Sequence, residues 1–262
     1  KILSQNGYRL AGIIKLCFMQ ERTCIVIPCY NESERFKTDA FVRFLKREPD
    51  IDFCCVNDGS TDGTRDMIER LSREFPGRVY GVSYECNRGR AEAVRAGGLR
   101  MLALKQYRRI GFADADLATP LEEIRRLADV LENEERIGMV MGSRIQRMGV
   151  QIERRLLRHY MGRLFATVIA VLFRLNAYDT QCGAKIFRCD MAELAFERPF
   201  LSKWLFDVEI LLRIRNSYPD YNSVICEVPL NVWQEQGDSR IRFVHLWSMP
   251  VQLWKMYFRY KI

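Results

Sequence analysis

The chain has 262 residues, enough for one large domain or one and a half, and its 48% hydrophobic and 28% charged residues are typical of a globular protein and exclude a disordered one. Nine cysteines without a Cys-x-x-Cys pair argue against a disulfide framework and for a reducing compartment, and two histidines argue against a zinc site. The net charge of +8 is unevenly spread, which predicts an anionic partner: nucleic acid, a membrane surface or a phosphate.

The first 20 residues precede the first clear strand and are predicted to be an N-terminal extension. They hold apolar stretches broken by Lys15, without the small-residue cleavage site of a signal peptide. The longest apolar run of the chain, residues 164–173, has ten residues, whereas a membrane-spanning helix needs ~20. We therefore expect no transmembrane helix.

Short apolar runs alternate with helix-like stretches in the first half of the chain. Strands are predicted at residues 23–28, 51–57, 79–84, 109–113 and 137–143, and helices at 33–47, 64–75, 88–104 and 120–133. This alternation predicts an α/β fold with a mostly parallel central sheet flanked by helices. Ligands of such sheets bind beyond the carboxyl ends of the strands. The polar residues found there are Asn31, Glu32, Asp58, Asp114 and Asp116.

The second half is less regular. We expect helices at residues 154–174 and 206–216, a loop running into a strand at 179–187, and a strand at 223–232. There are no repeats or low-complexity linkers, so one domain with C-terminal elaborations is predicted.

Asp114 and Asp116 follow the fourth predicted strand. Residues i and i+2 of an extended segment point the same way, and two adjacent carboxylates repel each other unless a positive charge lies between them. Mg²⁺ typically uses one or two carboxylates together with substrate phosphates. The pair therefore suggests a metal that holds a diphosphate, although a turn with a helix cap explains the pair equally well when it is considered alone.

Other nucleotide-binding and hydrolase motifs are missing from the sequence. It has no G-x-G-x-x-G after the first strand, no P-loop and no G-x-S-x-G elbow. Instead, Pro-Cys-Tyr-Asn-Glu occupies residues 28–32, and Asp58 begins an Asp-Gly-Ser-Thr-Asp-Gly-Thr run where a carboxylate can accept an N–H from a base. Arg88 and Arg90 open the third helix and could neutralise phosphates. Turns, helix caps and a solvated helix start are the structural alternatives.

Together these motifs resemble the inverting family 2 glycosyltransferases with the GT-A fold, and the resemblance covers about residues 23–145. The family implies a nucleotide-sugar donor whose base and ribose contact the first two motifs. It also implies Mg²⁺ or Mn²⁺ on the Asp-x-Asp, next to the diphosphate. The donor-binding residues that the resemblance implies are Pro28, Tyr30, Glu32, Asp58, Arg88, Arg90, Asp114 and Ala115.

Motifs of the second half are similar to those of dolichyl-phosphate β-glucosyltransferase and bacterial polyprenyl-phosphate glycosyltransferases. The most specific is Asp-Thr-Gln-Cys-Gly-Ala-Lys-Ile-Phe at residues 179–187. This resemblance implies inverting transfer of a hexosyl group, with glucose and a UDP-sugar favoured, to a membrane polyprenyl or dolichyl phosphate. The alternatives are a non-lipid acceptor, such as a cell-surface polysaccharide, and a non-catalytic binding protein, against which the intact Asp-x-Asp argues.

Positive charge supports an acceptor phosphate independently. Residues 144–174 contain seven arginines and one acid, Glu153. Arginine makes bidentate contacts with phosphate, although a solvated basic face remains an alternative. The acceptor-phosphate residues that we expect are Ser143, Arg144, Arg154, Arg155, Arg158 and Lys185. The domain is accordingly divided into a nucleotide-sugar half, about residues 21–145, and an acceptor half, about residues 146–240.

The expected reaction is a single in-line displacement at the anomeric carbon by an acceptor phosphate oxygen. This nucleophile is already anionic, so no strong general base is required. Catalytic roles are expected for Asp114 and Asp116, which hold the metal, and for Asp179, which ranks above Asp207 and Glu209 for orienting the acceptor or a loop. A role in loop hydrogen bonding is the alternative for Asp179.

Three departures from the family pattern stand out. Asn57 replaces an aspartate found in many relatives. Ala118 lies where related mannosyl enzymes place a glutamine metal ligand, so water or Glu235 is expected to fill that position. Arg90 and Arg240 replace lysines and keep the positive charge.

Residues 241–262 interleave aromatic and basic side chains, a pattern that suits an interfacial helix on anionic lipid. Pro250 is expected to break or kink that helix, and packing against the domain is an equal alternative. No nucleic-acid motif appears, so no nucleic-acid partner is expected. We expect a cytoplasmic protein in peripheral contact with the cytosolic face of a membrane; the oligomeric state is left open.

Overall fold

A computed structural model describes residues 20–153, 156–236 and 243–260. The strands are β1 (Gln20–Cys29), β2 (Ile51–Asp58), β3 (Val79–Tyr84), β4 (Tyr107–Phe112), β5 (Met139–Ser143), β6 (Gln151–Glu153), β7 (Lys185–Arg188), β8 (Ile225–Pro229) and β9 (Val232–Gln234). The helices are α1 (Thr38–Arg47), α2 (Thr64–Glu74), α3 (Arg90–Leu104), α4 (Leu121–Asn133), α5 (Leu156–Phe173), α6 (Cys189–Phe196), α7 (Phe206–Ser217) and α8 (Phe243–Tyr260).

The central sheet has seven strands in the order β3-β2-β1-β4-β7-β5-β8. Its strands run parallel except β7, which is antiparallel to both β4 and β5. A separate parallel pair joins β6 to β9. The predicted α/β class with a mostly parallel sheet is confirmed.

Helices cover both faces of the sheet because its central strands are apolar on both sides. Every residue of β2 is buried, as expected of a strand enclosed in a parallel sheet. One core cluster lies under α1, α2 and α4, and the other lies under α3, α5, α6, α7 and α8. Helix α3 sits close to the sheet at Gly97, where a Cβ would press on Val26 and Val56.

Element boundaries differ from the predictions where backbone turns intervene. Helix α1 begins at Thr38, five residues later than predicted, because the N–H groups of Arg35 and Phe36 fold back to the carbonyl of Glu32. The predicted strand at 223–232 is divided between β8 and β9. Strands β6 and β9 have three residues each and α6 has eight, too few for a clear periodicity, and all three were missed as separate elements.

The C-terminal helix packs on the domain with one face. Met249 and Met256 are buried, and the Tyr260 hydroxyl donates to Glu209 on α7 at 2.9 Å. The helix continues through Pro250 and is not broken there. Within the described ranges, no helix is both long and apolar enough to cross a bilayer. The N-terminal extension (1–19) and Arg240 lie outside the described residues.

Candidate active site

The first two predicted motifs meet at the carboxyl ends of β1 and β2. The N–H of Asn31 donates to Ser60 Oγ at 3.0 Å, and the N–H of Thr61 donates to Asn31 Oδ1 at 2.9 Å. The N–H of Glu32 donates to Thr64 Oγ1 at 2.8 Å. Pro28 and the half-exposed Tyr30 belong to this same strand end. The site is thus built from two loops that cross-link each other.

Asp58 fixes a third loop against these two. It is buried, and its two carboxylate oxygens accept the N–H groups of Arg88 and Gly89, each at 2.8 Å. The Arg88 guanidinium lies 4.2 Å from the centre of the Tyr84 ring. Each carboxylate oxygen keeps a second lone pair, so Asp58 orders this loop and still has acceptor capacity for a base.

Asp114 follows β4 and is paired with Arg90. Arg90 Nη2 lies 2.7 Å from Asp114 Oδ1, and Arg90 Nε donates to the same oxygen at 3.0 Å. Arg90 also approaches Asp207 on α7 at 3.3 Å. The arginine predicted to meet donor phosphates is therefore shared between two carboxylates in this structure.

Asp116 lies in the turn that follows β4. Its Oδ1 accepts the N–H of Ala118 at 3.0 Å, and Arg35 Nη2 approaches its Oδ2 at 3.6 Å. Burial, followed by the charge of Asp114, raises the pKa of Asp116. Two carboxylates close together in this turn repel each other, and a cation between them would relieve the repulsion.

The residues present fit a divalent metal that is completed by its substrate. Within the described part of the chain, no group of three or more His, Cys, Asp or Glu side chains is arranged to hold a metal ion. The predicted third ligand, Glu235, is therefore not brought into a set with Asp114 and Asp116, although Gln234 donates its N–H to the Ala118 carbonyl at 2.9 Å. Two carboxylates plus phosphate oxygens match the usual ligand set of Mg²⁺.

Arg144 and Asp179, which the sequence predicts to lie near the acceptor, form a two-pronged ion pair. Arg144 Nε and Nη2 donate to the two Asp179 oxygens at 2.6 and 2.7 Å, and the Arg144 N–H donates to Asp179 Oδ2 at 3.1 Å. Burial lowers the pKa of Arg144, but the charge and hydrogen bonds of Asp179 outweigh it, so that the pKa is raised overall. Arg144 therefore stays charged beside the site.

Two other side chains hold the backbone of the loop that contains Asp179. Glu227 accepts the N–H groups of Tyr178 and Asp179, each at 2.7 Å. Arg163 of α5 donates to the Tyr178 carbonyl at 2.8 Å and lies over the Tyr178 ring. Within the described residues, the buried hydroxyls of Ser143 and Thr180 have no hydrogen-bond partner, so a phosphate could use either of them.

Lys185 differs from its predicted role as an acceptor-phosphate contact. Its side chain is fully enclosed, and its Nζ donates to the Cys182 carbonyl at 2.7 Å and to Asp207 at 2.5 Å. An ammonium group held in this way is not available to a phosphate. The predicted Arg154 and Arg155 lie outside the described residues; Arg158 lies in α5, but its side chain is not among those described.

A family model described as "Glycosyl transferase family 2" matches residues 24–195, a range that contains the Asp-x-Asp turn and the loops after β1 and β2. The chain belongs to glycosyl transferase family 2. The predicted family is thereby confirmed, and this glycosyltransferase has named relatives over most of its length.

The sequence relatives of this family 2 glycosyltransferase cover nearly all of it. It is 30% identical over 251 residues to a dolichyl-phosphate beta-glucosyltransferase of Trichomonas vaginalis, covering 90% of this chain and 72% of the relative. It is also 30% identical to the dolichyl-phosphate beta-glucosyltransferase of Saccharomyces cerevisiae, covering 83% and 68%. The human enzyme of the same name is 27% identical, covering 86% and 70%.

Solved structures confirm the GT-A fold. Glucosyl-3-phosphoglycerate synthase of Mycobacterium tuberculosis, in complex with Mn²⁺, uridine diphosphate and phosphoglyceric acid, superposes with a TM-score of 0.67 at 18% identity, covering 92% of this chain and 78% of that one. At this identity the likeness concerns the fold alone.

Sequence reasoning did not identify the partners of the predicted residues. Arg35, Glu227 and Gly183 were not assigned to the site, and Asp207 was named only as a secondary candidate. Asp207 and Glu227 belong to two further motifs of the second half that carry the resemblance, Trp-Leu-Phe-Asp-Val-Glu at residues 204–209 and Glu-Val-Pro-Leu-Asn-Val-Trp at residues 227–233, and this was the available signal.

Proposed function

We propose that this glycosyltransferase transfers glucose, with inversion, from UDP-glucose to a dolichyl or polyprenyl phosphate. The observation that carries the proposal is the loop at residues 179–183. Asp179 at its start holds Arg144, and Gly183 at its end lies against the Asp114 carboxylate. A single short loop thus links a carboxylate site suited to a cation and a diphosphate with a buried arginine suited to a second phosphate.

The donor half of the proposal rests on the three cross-linked loops. Pro28, Tyr30, Glu32 and Asp58 would contact the base and ribose, and Arg88 and Arg90 would lie near the diphosphate, with the backbone of Ala115. Asp114 and Asp116 would hold Mg²⁺ or Mn²⁺, whose positive charge would offset the negative charge that develops on the leaving diphosphate.

The acceptor half rests on Arg144 and its neighbours. The acceptor phosphate would bind Arg144 and the Ser143 hydroxyl, with Arg154, Arg155 and Arg158 contributing positive charge at the approach. A phosphate monoester is anionic near neutral pH, so no group need remove a proton before it attacks. Asp179, with both oxygens engaged by Arg144, would orient that arginine rather than act as a base.

The exposed surface of the protein favours an acceptor that lies in a membrane. Helix α5 exposes Leu164, Val168 and Val171, and α8 exposes Trp254 and Phe258. Lys255 and Arg259 are exposed beside these α8 aromatics. An apolar helix face edged with cations suits the interface of an anionic bilayer. We propose that these faces bring the protein to the membrane, and that the host membrane face is cytosolic.

A small soluble phosphate acceptor is the second candidate, because the structural neighbour from Mycobacterium tuberculosis was crystallised with phosphoglyceric acid. The exposed apolar faces of α5 and α8 favour the lipid instead, since a soluble acceptor does not need them. Polysaccharide acceptors are disfavoured by the buried cation at Arg144.

One assay separates these acceptors. Purified protein is incubated with labelled UDP-glucose and Mn²⁺ or Mg²⁺ in parallel with vesicles containing dolichyl phosphate, with phosphoglyceric acid and with polysaccharide. We expect label in the organic phase of the vesicle reaction only. Label solely in a water-soluble or polymeric product would contradict the lipid acceptor, and no label from any common nucleotide-sugar would contradict the proposed function.

A further inference from the structure

Asp207 lies at the centre of a chain of charges that runs from the buried Lys185 to the partly exposed Arg90 and Asp114. It is in the first turn of α7 and is 2% exposed. Its Oδ1 accepts from Lys185 Nζ at 2.5 Å, and its Oδ2 pairs with Arg90 Nη1 at 3.3 Å. Arg90 in turn pairs with Asp114 at 2.7 Å. Cation and anion therefore alternate from Lys185 through Asp207 and Arg90 to Asp114.

A second route connects Asp207 to Asp114 through the backbone. Lys185, held by Asp207, also donates to the carbonyl of Cys182 at 2.7 Å and so fixes the residue before Gly183. Gly183 approaches the Asp114 carboxylate so closely that a Cβ at this position would overlap it. Asp114 is therefore in contact with Arg90 and Gly183, and both of these neighbours are fixed by Asp207.

The surroundings make this arrangement rigid. The Arg90 guanidinium lies 4.9 Å from the Phe206 ring centre, and Lys185 Nζ lies 5.5 Å from that of Phe112. Lys185 is fully enclosed and Arg90 is partly so, and a cation interacts more strongly with a shared carboxylate where less water competes for it. The positive end of the α7 dipole also favours the negative charge of Asp207.

We propose that Asp207 is a positioning residue of the donor site: it fixes the Asp114 carboxylate through Arg90 and through Gly183, and touches neither substrate. Asp207 is enclosed and each of its oxygens is paired with a cation, so it is not placed to take a proton from the acceptor. This inference rests on the proposed function only in assigning the cation and the diphosphate to Asp114.

The test replaces Asp207 with the isosteric, uncharged asparagine. We expect Asp207→Asn to unfold cooperatively, to lose the 2.7 Å contact between Arg90 and Asp114 in a crystal structure, and to lose ~10-fold or more of the gain in UDP affinity that Mn²⁺ provides in calorimetry. Asp190→Asn, which alters an exposed carboxylate in the first turn of α6, is the matched control and should leave both readouts unchanged.

Gly183→Ala tests the second route without changing any charge. It should displace the Asp114 carboxylate and reduce the gain in UDP affinity that Mn²⁺ provides. If Asp207→Asn fails to fold, Gly183→Ala is the variant that tests the proposal. The proposal is overturned if Arg90 and Asp114 keep their contact in Asp207→Asn, or if the folded Gly183→Ala chain leaves Asp114 in place. A failure of glucosyl transfer to lipid would contradict the proposed function alone, because the crystallographic readout requires neither nucleotide nor acceptor.

Discussion

Ionisation of Asp116 lowers the stability of the folded chain. Burial and the neighbouring Asp114 raise its pKa. A carboxyl group whose pKa is higher in the folded than in the unfolded chain lowers stability above the unfolded pKa, and that penalty disappears as the pH falls and the group is protonated. At neutral pH a bound cation would relieve the repulsion between Asp114 and Asp116, as expected if Asp116 binds a metal.

Replacing Asp116 by asparagine should therefore separate activity from stability. We expect glucosyl transfer to fall ~100-fold or more, the size of effect seen when a preorganised electrostatic contact is removed. The thermal midpoint without metal should stay level or rise, because the repulsion with Asp114 is gone. Scanning calorimetry and the transfer assay check this.

Asp39→Asn provides the control for that pair of measurements, since it removes an exposed carboxylate in the first turn of α1. Transfer retained at the level of the control would rule out a metal-binding role for Asp116.

Arg144→Lys should weaken acceptor binding selectively. Lysine keeps the charge but cannot make the paired contacts that Arg144 makes with Asp179. We expect the KM for the acceptor to rise ~10-fold, in line with the loss of a charge-assisted hydrogen bond, while the KM for UDP-glucose stays within about twofold. Steady-state kinetics with each substrate varied in turn measures both constants.

The exposed Arg147, which donates to Asn231, is the matched control for this substitution. An equal rise in both KM values for Arg144→Lys would mean that the arginine supports the whole site rather than the acceptor.

Residue identities were easier to predict than their pairings. Asp58, Asp114 and Asp116 were found from their positions after strands and from the motifs around them. The pairing of Lys185 with Asp207 was not foreseen, because it joins residues 22 positions apart that meet only after β7 and α7 have packed. The same holds for Arg90, whose two carboxylate partners come from different elements.

Helix α8 packs on the domain with one face and exposes apolar side chains on another, so packing on the domain does not exclude contact with a membrane. Its inner face packs through Met249 and Met256, whereas Val251, Trp254 and Phe258 are exposed. A proline inside a helix usually costs a hydrogen bond, and the expectation of a break or kink at Pro250 followed from that rule alone. The helix is retained because its inner face docks on α7 and the core beneath it.

Removing the exposed aromatics of α8 should weaken membrane binding. Burying one large apolar side chain contributes ~1.5–3 kcal/mol, so we expect Trp254→Ser with Phe258→Ser to lower vesicle affinity at least ~10-fold. Sedimentation with anionic vesicles gives the affinity, and added salt should weaken the binding of the unaltered chain.

Leu201→Ser, a change at an exposed apolar residue outside α5 and α8, is the control. If the double variant and the control bind vesicles equally, this face of α8 does not contact the membrane.

Strand direction was the part of the fold that the sequence could not provide. The alternation of strands and helices correctly predicted β1 to β5 and a mostly parallel sheet. Strand β7 runs antiparallel between β4 and β5, and its place depends on the long excursion through α5 rather than on any local pattern. That insertion brings the loop at residues 179–183 to the end of β4, and so joins the two halves of the site.

At the scale of the whole molecule, the groups that we propose for the donor and the acceptor lie along one edge of the central sheet. The loops after β1 and β2 form one side, Arg144 and its loop form the other, and the carboxylates after β4 lie between them. This order agrees with a direct displacement, in which the donor diphosphate leaves from one side of the anomeric carbon as the acceptor phosphate attacks from the other. A single displacement of this kind inverts the anomeric configuration.

The anomeric configuration of the product is therefore the most direct test of a single displacement at the anomeric carbon. The chain is incubated with UDP-α-glucose, Mn²⁺ and vesicles containing dolichyl phosphate, and the extracted lipid is analysed by NMR. We expect a lipid that carries a β-linked glucosyl monophosphate, with UDP released in equal amount. An α-linked product, or a lipid carrying a diphosphate, would contradict a single displacement at that carbon.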